Sequence, residues 1–439
     1  MGDGVRSRTK VVAALLACAV VLGTTGCALF WAGEVESGDV AASPLPRETE
    51  PIVSDDDIAS LVEGNCTFAF DLLHELDGAG GNLFYSPYSV STALAMAYAG
   101  ARGATESGMA VALRFELPQE ALHPAFNAID LALNGREAIA PPYEGDGFDL
   151  RVVNAAWGQR DHRFLKSYLE TLAVNYGAGL RLVDFAADPD GARQTINDWV
   201  SEQTNDRVPD LLPPGSIDAS ARLVLTNAVY FNAPWVKPFE VGDTEVGRFE
   251  LTDGVVVDVP MMHQDESFGY ASWDGGKAVE LPYNGETLSM ILFVPDRGTY
   301  EAFEAEFDAA AYAEIVEELG PRQVDLRMPK FEIAYDASLV DPLIALGMTD
   351  AFTTGAADFS GIDGTRDLCI SDVLHKAWVS VDEAGTEAAA ATAVIIVVSG
   401  HSDPPVVLTI DRPFLFVIRD VPTGTILFIG RVMDPTTEE

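Results

Sequence analysis

The chain has 439 residues, of which 27 are Lys or Arg and 68 are Asp or Glu, so its formal net charge at pH 7 is −41. Nucleic-acid-binding proteins and peripheral proteins of anionic membranes both need basic surfaces, and this composition disfavours both classes. Hydrophobic residues make up 48% of the chain, which excludes a disordered acidic protein and is enough for a large core. The acidic excess favours a solvated surface that keeps the protein soluble and monomeric, and adaptation to a high-salt habitat is the alternative explanation.

The N-terminus has the pattern of an export signal. Three basic residues precede an apolar run of twelve residues, Val11 to Leu22, which is too short to span a bilayer but has the length of a secretory signal core. The residues from Leu22 to Cys27 resemble the lipobox of prokaryotic lipoproteins, which implies that Cys27 is diacylated and becomes the mature N-terminus. The alternative is an ordinary signal peptide followed by an incidental cysteine. Residues 1–26 are therefore predicted to be a signal peptide of an exported prokaryotic protein, which is either lipid-anchored at the cell surface or extracellular and meets the membrane only through this anchor.

Residues 27–56 have the composition of a tether. They include three prolines and seven acidic residues, with few large apolar groups after Trp31. Such a stretch has little to bury and is predicted to stay extended. From residue 57 onward the sequence contains no second linker, internal repeat or low-complexity break, so residues 57–439 are predicted to form one domain.

Helical periodicity comes early in this domain and strand patterns come later. Apolar residues from Ile58 to Leu76 share one helical face, Ser89 is predicted to cap a second helix, and Asp188-Pro189 to begin a third. Runs of β-branched and aromatic residues predict the strands Arg222–Phe231, Val255–Met261, Leu288–Val294, Gln323–Ile333, Val373–Val381, Val406–Ile410, Phe414–Ile418 and Thr425–Ile429. Helices first and strands later favour an α+β fold with antiparallel sheets over an alternating βαβ fold.

The sequence contains no recognisable catalytic motif: no G-x-S-x-G elbow, H-E-x-x-H helix, P-loop or dinucleotide-binding glycine motif is present. Ser399 and His401 are neighbours on an irregular segment, which does not supply the oriented base that a catalytic triad needs. Cys66 and Cys369 are far apart and predict two buried thiols, with a single disulfide as the alternative, and no Cys/His cluster indicates zinc. The chain is therefore predicted not to be an enzyme and to need no metal or cofactor.

One long connection, residues 381–405, carries the most information. It lies between two predicted strands, and connections of this length in a compact domain are usually functional. Its alanine-rich half is consistent with a helix, and the apolar run Ala388–Val398 with a membrane segment. Eleven residues are too few to cross a bilayer, however, and the β-branched residues Val394–Val398 disfavour a helix. The remaining interpretation is a strand held outside any sheet, with Gly385 as its pivot.

From about Asn65 to Pro435 the sequence resembles the serpin family of serine protease inhibitors. The resemblance rests on separate motifs in the family's order, which are Asn82–Val90, Thr226–Trp235, Glu383–Ala391, and Arg412–Val417 with Gly430–Pro435. It implies a fold of three β-sheets with eight or nine helices, and an exposed reactive loop over residues 383–411.

The resemblance implies irreversible inhibition of a target protease. The protease cuts the loop and forms an acyl ester with it, and the freed arm enters the largest sheet as a new strand, which traps the enzyme in a covalent complex. Every second residue from Thr386 to Val398 is small or apolar, as burial beneath a sheet requires, which favours an inhibitor over a non-inhibitory serpin-fold binding protein. The hinge residues of this arm are Glu383, Gly385, Thr386, Ala388, Ala389, Ala390 and Ala391.

Counting from the hinge as in the family places the reactive bond between Ser399 and Gly400, with Val398–Ser399 and His401–Ser402 as alternatives. The apolar residues before this bond suit a serine protease with a small or apolar primary pocket, such as an elastase-like or subtilisin-like enzyme, rather than a trypsin-like one. A cysteine protease stays open as an alternative target.

The resemblance also implies residues that control the opening of the large sheet. Ser86, Ser89, Asn227 and His375 correspond to the family's shutter, where polar side chains bridge the central strands. Trp235 corresponds to the breach, where the loop first enters. The alternative interpretation is that each of these residues is a buried core residue with satisfied hydrogen bonds.

Overall fold

The structure, a computed structural model, describes residues 40–76, 80–136, 149–204, 206–386 and 404–437, with the backbone alone at residues 149–153 and 230. In these ranges the α-helices are α1 (Asp55–Leu76), α2 (Pro87–Tyr98), α3 (Gly103–Ala112), α4 (Gln119–Arg136), α5 (Lys166–Tyr176), α6 (Pro189–Gln203), α7 (Tyr300–Glu306), α8 (Ala309–Glu317), α9 (Val340–Ala345), α10 (Thr349–Phe352) and α11 (Ser360–Asp363). The strands are β1 (Val40–Ala41), β2 (Leu83–Tyr85), β3 (Asp149–Gln159), β4 (Leu180–Val183), β5 (Leu223–Pro234), β6 (Glu245–Glu250), β7 (Val256–Trp273), β8 (Gly276–Pro282), β9 (Leu288–Pro295), β10 (Gly320–Pro329), β11 (Phe331–Ser338), β12 (Val373–Val381), β13 (Gly385–Thr386), β14 (Val406–Thr409), β15 (Phe414–Asp420) and β16 (Ile426–Val432).

This arrangement confirms the predicted α+β class. The helices identified in these ranges number eleven, more than the eight or nine that the resemblance implies, because α10 and α11 are single turns of four residues. None of the helices in the described ranges is long and apolar enough to cross a membrane.

The large sheet has the strand order β1-β4-β3-β5-β13-β12-β11. Its central strands β5 and β12 run parallel and pair directly where Leu225–Val229 lies beside Val373–Ala377. Beyond this stretch the two-residue strand β13 lies between them. Strands β5 and β12 therefore pair with each other along one part of the sheet and are separated by β13 in the next part.

The second sheet has the order β14-β10-β7-β8-β9-β15-β16-β2, with β6 paired to the first part of β7. Strands β9 and β16 are buried along their whole length and form the centre of the core. The resemblance implies three sheets, whereas hydrogen bonding in the described ranges joins two of them into one. The reason is the 18-residue strand β7, which pairs with β6 near its start and with β8 near its end.

Two helix starts illustrate how local sequence directs the fold. As predicted, α6 begins after Asp188, whose side chain accepts a hydrogen bond from the Gly191 N–H. The N-cap of α2 is Ser86, which accepts from the Ser89 N–H, and Ser89 lies inside the helix. The prediction that Ser89 caps α2 is wrong, because Pro87 suits the first helical position and moves the cap to Ser86.

The strand predictions succeed where the apolar pattern is bounded on both sides. The predicted strand Val373–Val381 coincides with β12. The predicted strand Gln323–Ile333 divides at Lys330 into β10 and β11, which belong to different sheets. A continuous pattern of strand-forming residues therefore hides a crossing from one sheet to the other.

Residues 40–54, which composition assigns to the extended tether, lie against the domain. Val40–Ala41 form β1 and pair with β4 at the edge of the large sheet. Arg47 contacts two side chains of α4: it donates a hydrogen bond to Asn127 at 2.8 Å and forms an ion pair with Asp130 at 2.6 Å. Low apolar content does not leave this stretch free, because an unpaired sheet edge and polar side chains supply it with partners.

The two cysteines in the described ranges form no disulfide. Cys66 and Cys369 are both free thiols, as predicted, but they are half-buried rather than buried. Burial and then the nearby Glu63 carboxylate raise the pKa of Cys66 to about 12. The Cys66 thiol is therefore protonated and a poor nucleophile near neutral pH.

Candidate functional site

The centre of the large sheet contains an opening that is filled by the first residues of the long loop. Gly385 pairs with Pro234 and Thr386 with Ala233 on β5, while Thr386 also pairs with Val381 on β12. Both pairings are antiparallel, whereas β5 and β12 are parallel to each other where they meet directly. A strand continuing from Thr386 between them would be antiparallel to both, and antiparallel pairing is the more stable type.

Gly385 permits this entry because no side chain fits at its position. Its φ is +154°, and a Cβ there would lie 2.2 Å from the carbonyl oxygen of Ala233. The turn before it is held by Asp382, whose carboxylate accepts from the N–H groups of Ala384 and Gly385 at 2.8 and 3.3 Å. A larger residue at position 385 would push the hinge out of the sheet.

Thr386 is fully buried against an aromatic cluster. Its hydroxyl lies 2.8 Å from the hydroxyl of Tyr283, which follows β8. The Tyr283 ring stacks on Trp235 with 4.6 Å between ring centroids and meets Phe231 edge-on at 5.2 Å. Trp235 also donates from its indole nitrogen to the Asp382 carbonyl at 3.1 Å. The residue predicted to lie at the breach is therefore in direct contact with the hinge.

Glu383 fixes the start of the hinge through an ion pair. Only 7% of this residue is exposed, and its carboxylate accepts from the Lys330 ammonium at 2.6 Å and from the Thr244 hydroxyl at 2.7 Å. Burial raises the pKa of the Glu383 carboxyl, but the hydrogen bonds from Lys330 and Thr244 outweigh burial and hold the pKa below its ordinary value. The carboxylate is therefore ionised, and the hinge is tied to the β10–β11 connection.

The four polar residues that the resemblance assigns to the shutter converge where β5 and β12 pair directly. Asn227 and His375 are register partners, and their side chains are 2.5 Å apart. The Asn227 amide nitrogen donates to Ser89, whose hydroxyl donates to Asn154 on β3 at 3.1 Å. The N–H of Ser86 donates to Nε2 of His375 at 3.2 Å. These five residues, named the shutter cluster below, connect α2 to β3, β5 and β12.

The His375 ring is neutral. It is fully buried, and burial lowers its pKa to about 3. Because Nε2 accepts from Ser86, the ring proton is on Nδ1 and is donated to the side-chain oxygen of Asn227. A protonated ring would lose the bond from Ser86 and would place an unpaired charge between the two strands.

Sequence reasoning did not identify four residues that contact the predicted site residues: Asn154, Thr244, Tyr283 and Lys330. Asn154 carried a usable signal, since it is a polar residue in the apolar run from Val152 to Trp157. Thr244, Tyr283 and Lys330 carried none, because they lie 139, 103 and 53 residues from the hinge residues that they contact.

Several predicted site residues lie outside the described ranges. They are Cys27, the hinge residues Ala388, Ala389, Ala390 and Ala391, and the reactive bond Ser399–Gly400. After these residues the described chain begins again at Pro404, two residues before β14, which pairs parallel with β10. The loop therefore leaves from the large sheet and returns in the second sheet.

The chain is similar in sequence and in structure to proteins of one family. Residues 63–435 match the protein family described as "Serpin (serine protease inhibitor)". An uncharacterized serpin-like protein of Thermococcus kodakarensis is 40% identical over 395 residues, which cover 90% of each chain. The leukocyte elastase inhibitor of Bos taurus is 38% identical over 386 residues, which cover 85% of this chain and 99% of that protein. Among solved structures, uncleaved ovalbumin matches with a TM-score of 0.75 and 28% identity, covering 86% of this chain and 100% of ovalbumin.

Proposed function

The chain belongs to the serpin family, and from this premise we propose that it inhibits target proteases irreversibly rather than catalysing a reaction itself. The observation that carries the proposal is the position of Thr386, which is fully buried between β5 and β12 at the point where a further strand can enter the large sheet. A protein that only displays a loop to a binding partner needs no opening for that loop in its own sheet.

The proposed reaction begins as ordinary proteolysis. The hydroxyl of the protease serine attacks the carbonyl carbon before the cut, the peptide C–N bond breaks, and the amine leaves with the C-terminal fragment. An acyl ester then joins the enzyme to the arm that begins at the hinge. The arm continues from Thr386 into the sheet, and about a dozen strand residues at roughly 3.3 Å each carry the enzyme on the order of 40 Å. Insertion must finish before water hydrolyses the ester.

The composition of the arm supports insertion. With a period of two, the residues that share the inward face of Thr386 are Ala388, Ala390, Thr392, Val394, Ile396 and Val398. All of them are small or apolar, and none of the residues from Gly385 to Val398 is proline. Glu387, the first charged residue after Thr386, belongs to the opposite face, which is solvated in the inserted strand.

Opening of the sheet is the step that the shutter cluster would control. Insertion requires β5 and β12 to separate where Asn227 and His375 are register partners, so their hydrogen bond must break or be remade with the new strand. Trp235, stacked beside Thr386, would form the entrance as the breach residue. In this proposal Glu383 and Lys330 keep the base of the arm in place while the rest moves.

The target is proposed to be a serine protease with a small or apolar primary pocket, cut at Ser399–Gly400. The support is the run Ile396–Val398 before this bond and the similarity to proteins named leukocyte elastase inhibitors. The signal peptide and the lipobox at Cys27 support export and anchoring by lipid, which would place the inhibitor at the cell surface, where it meets secreted proteases.

The test is a denaturing gel of the mature protein incubated with an elastase, a subtilisin and a trypsin. We expect a covalent band heavier than either partner with elastase or subtilisin, in proportion to the enzyme added, and little with trypsin. Enzyme inactivated at its serine is the matched control, since it can bind but cannot acylate and should give no such band. A non-inhibitory binding protein would give no covalent band with any of the enzymes, and this result would refute the proposal.

A further inference from the structure

We propose that Tyr283 is a positioning residue for the hinge, and that its hydroxyl holds Thr386 inside the large sheet before any protease arrives. This inference rests on the proposed inhibitory function, in which entry of the loop into this sheet is the step that traps the enzyme.

Tyr283 has packing and hydrogen-bond contacts besides the one to Thr386. It is fully buried, its N–H donates to the carbonyl of Leu288 at 3.0 Å, and its ring stacks on Trp235. It follows β8 of the second sheet, whereas Thr386 belongs to the large sheet. The phenol is therefore a fixed group on one sheet that reaches the entry point of the other.

The hydroxyls of Tyr283 and Thr386 form a closed pair. They are 2.8 Å apart, both residues are 0% exposed, and within the described ranges neither hydroxyl has another hydrogen-bond partner. A buried hydroxyl that loses its partner destabilises a protein by more than the bond contributed, whereas replacing both partners with apolar groups of the same shape is nearly neutral. Substitutions at the two positions should therefore be strongly non-additive.

A docked Thr386 determines where insertion starts. When it is docked, each following residue extends an existing strand. When it is released, the loop must first pay the entropy of closing onto the sheet before any ladder bond forms. Under the proposed mechanism the ester hydrolyses during that delay, so release of Thr386 should increase the fraction of inhibitor that is cut without trapping.

The test is a cycle of three variants in the full-length protein. Tyr283→Phe and Thr386→Val each remove one hydroxyl and keep the shape of the side chain, and the double variant removes both. Hydrogen exchange of residues 382–386, measured by mass spectrometry, reports how often the hinge is undocked. We expect exchange about tenfold faster in each single variant, and within about twofold of the parent in the double variant.

Two controls separate this role from a general effect on packing. Thr386→Ser keeps the hydroxyl and should exchange like the parent. Tyr168→Phe removes the hydroxyl of another buried tyrosine, one without a hydrogen-bond partner in the described chain, and should leave exchange at the hinge unchanged. Single variants that exchange as slowly as the parent, or a double variant as fast as the two effects combined, would show that the pair does not hold the hinge.

A second measurement separates this proposal from the proposed function. The ratio of cut to trapped inhibitor, measured with elastase on the same variants, should rise severalfold in the single variants and recover in the double variant. If the exchange pattern appears but the parent traps no protease, the proposed function is wrong and the hinge role stands. If the parent traps protease without the exchange pattern, the hinge role is wrong and the function stands.

Discussion

Cutting the reactive loop should make this protein more stable, which is the opposite of what a nick does to most folds. In the intact chain β5 and β12 pair directly over five register positions, and among the described residues Gly385 and Thr386 lie between them beyond that stretch. A cut near Ser399 frees the arm to continue that short strand, antiparallel to both neighbours.

The size of the effect follows from the ladder that forms. About a dozen new residues form roughly two bonds each, some five bonds between β5 and β12 are lost, and each bond is worth roughly 1 kcal/mol net. Burial of Val394, Ile396 and Val398 adds about 2 kcal/mol each, and ordering the arm costs roughly 1 kcal/mol per residue. The net gain is on the order of 10 kcal/mol. With an unfolding entropy of roughly 2 cal/mol/K per residue, this raises the Tm of a domain of this size by on the order of 10 °C.

Differential scanning calorimetry of the intact and the nicked protein measures this change. The matched control is nicked Thr386→Arg, whose cation opposes burial of the first inserted residue and should hold its Tm near that of the intact variant. The cut site is verified by mass spectrometry in both samples. A nicked parent whose Tm is unchanged or lower would mean that the arm does not insert, and the mechanism proposed above would fail with it.

Four further predictions test separate parts of the molecule. Thr386→Arg places a cation at a fully buried position, which should slow insertion of the arm, so the variant should give at least tenfold less covalent complex on a gel. The variant should still be cut as fast as the parent, because position 386 is remote from the proposed reactive bond. Complete trapping would contradict the proposed race between insertion and hydrolysis. Lys330→Met leaves the Glu383 carboxylate without its cation, so urea unfolding should show a free energy of unfolding that is lower by roughly 1–2 kcal/mol. Adding Glu383→Gln to this variant removes the unpaired charge and should restore most of the loss. The contribution of the neutral His375 ring to the free energy of unfolding is fully present above pH 6.5 and falls by up to about 1.4 kcal/mol per pH unit below it, until the folded ring titrates at about 3. Urea unfolding at pH 7 and pH 5 should therefore show a weaker pH dependence of stability in His375→Gln than in the parent. Equal pH dependence in the two proteins would exclude this ring as the cause. Cys27→Ser should release the protein from membranes into the medium, and a variant that stays membrane-bound would contradict the lipid anchor.

The sequence alone determined the fold class and the family, because both depend on local patterns. Alternation of buried and half-buried residues over Val373–Val381 requires only neighbouring residues, and β12 has the predicted bounds. The hinge motif near Glu383 is likewise a contiguous stretch, as is the motif that contains Asn227. The convergence of Ser86, Ser89, Asn227 and His375 was predictable only through family resemblance, since nothing in their spacing brings them together.

The tertiary structure decided which distant groups meet the hinge and where the loop rests. Tyr283 and Lys330 became site residues because two sheets pack so that a phenol and an ammonium reach Thr386 and Glu383. Residues 40–54 lie on the domain because the edge of β4 is open to pairing, which no composition reveals. The sequence indicated a strand held outside any sheet. The structure shows that Gly385 and Thr386, at the start of that strand, already pair within the large sheet. The physical reason is that hydrogen bonds and burial depend on which surfaces meet in space, whereas periodicity reports only on neighbours along the chain.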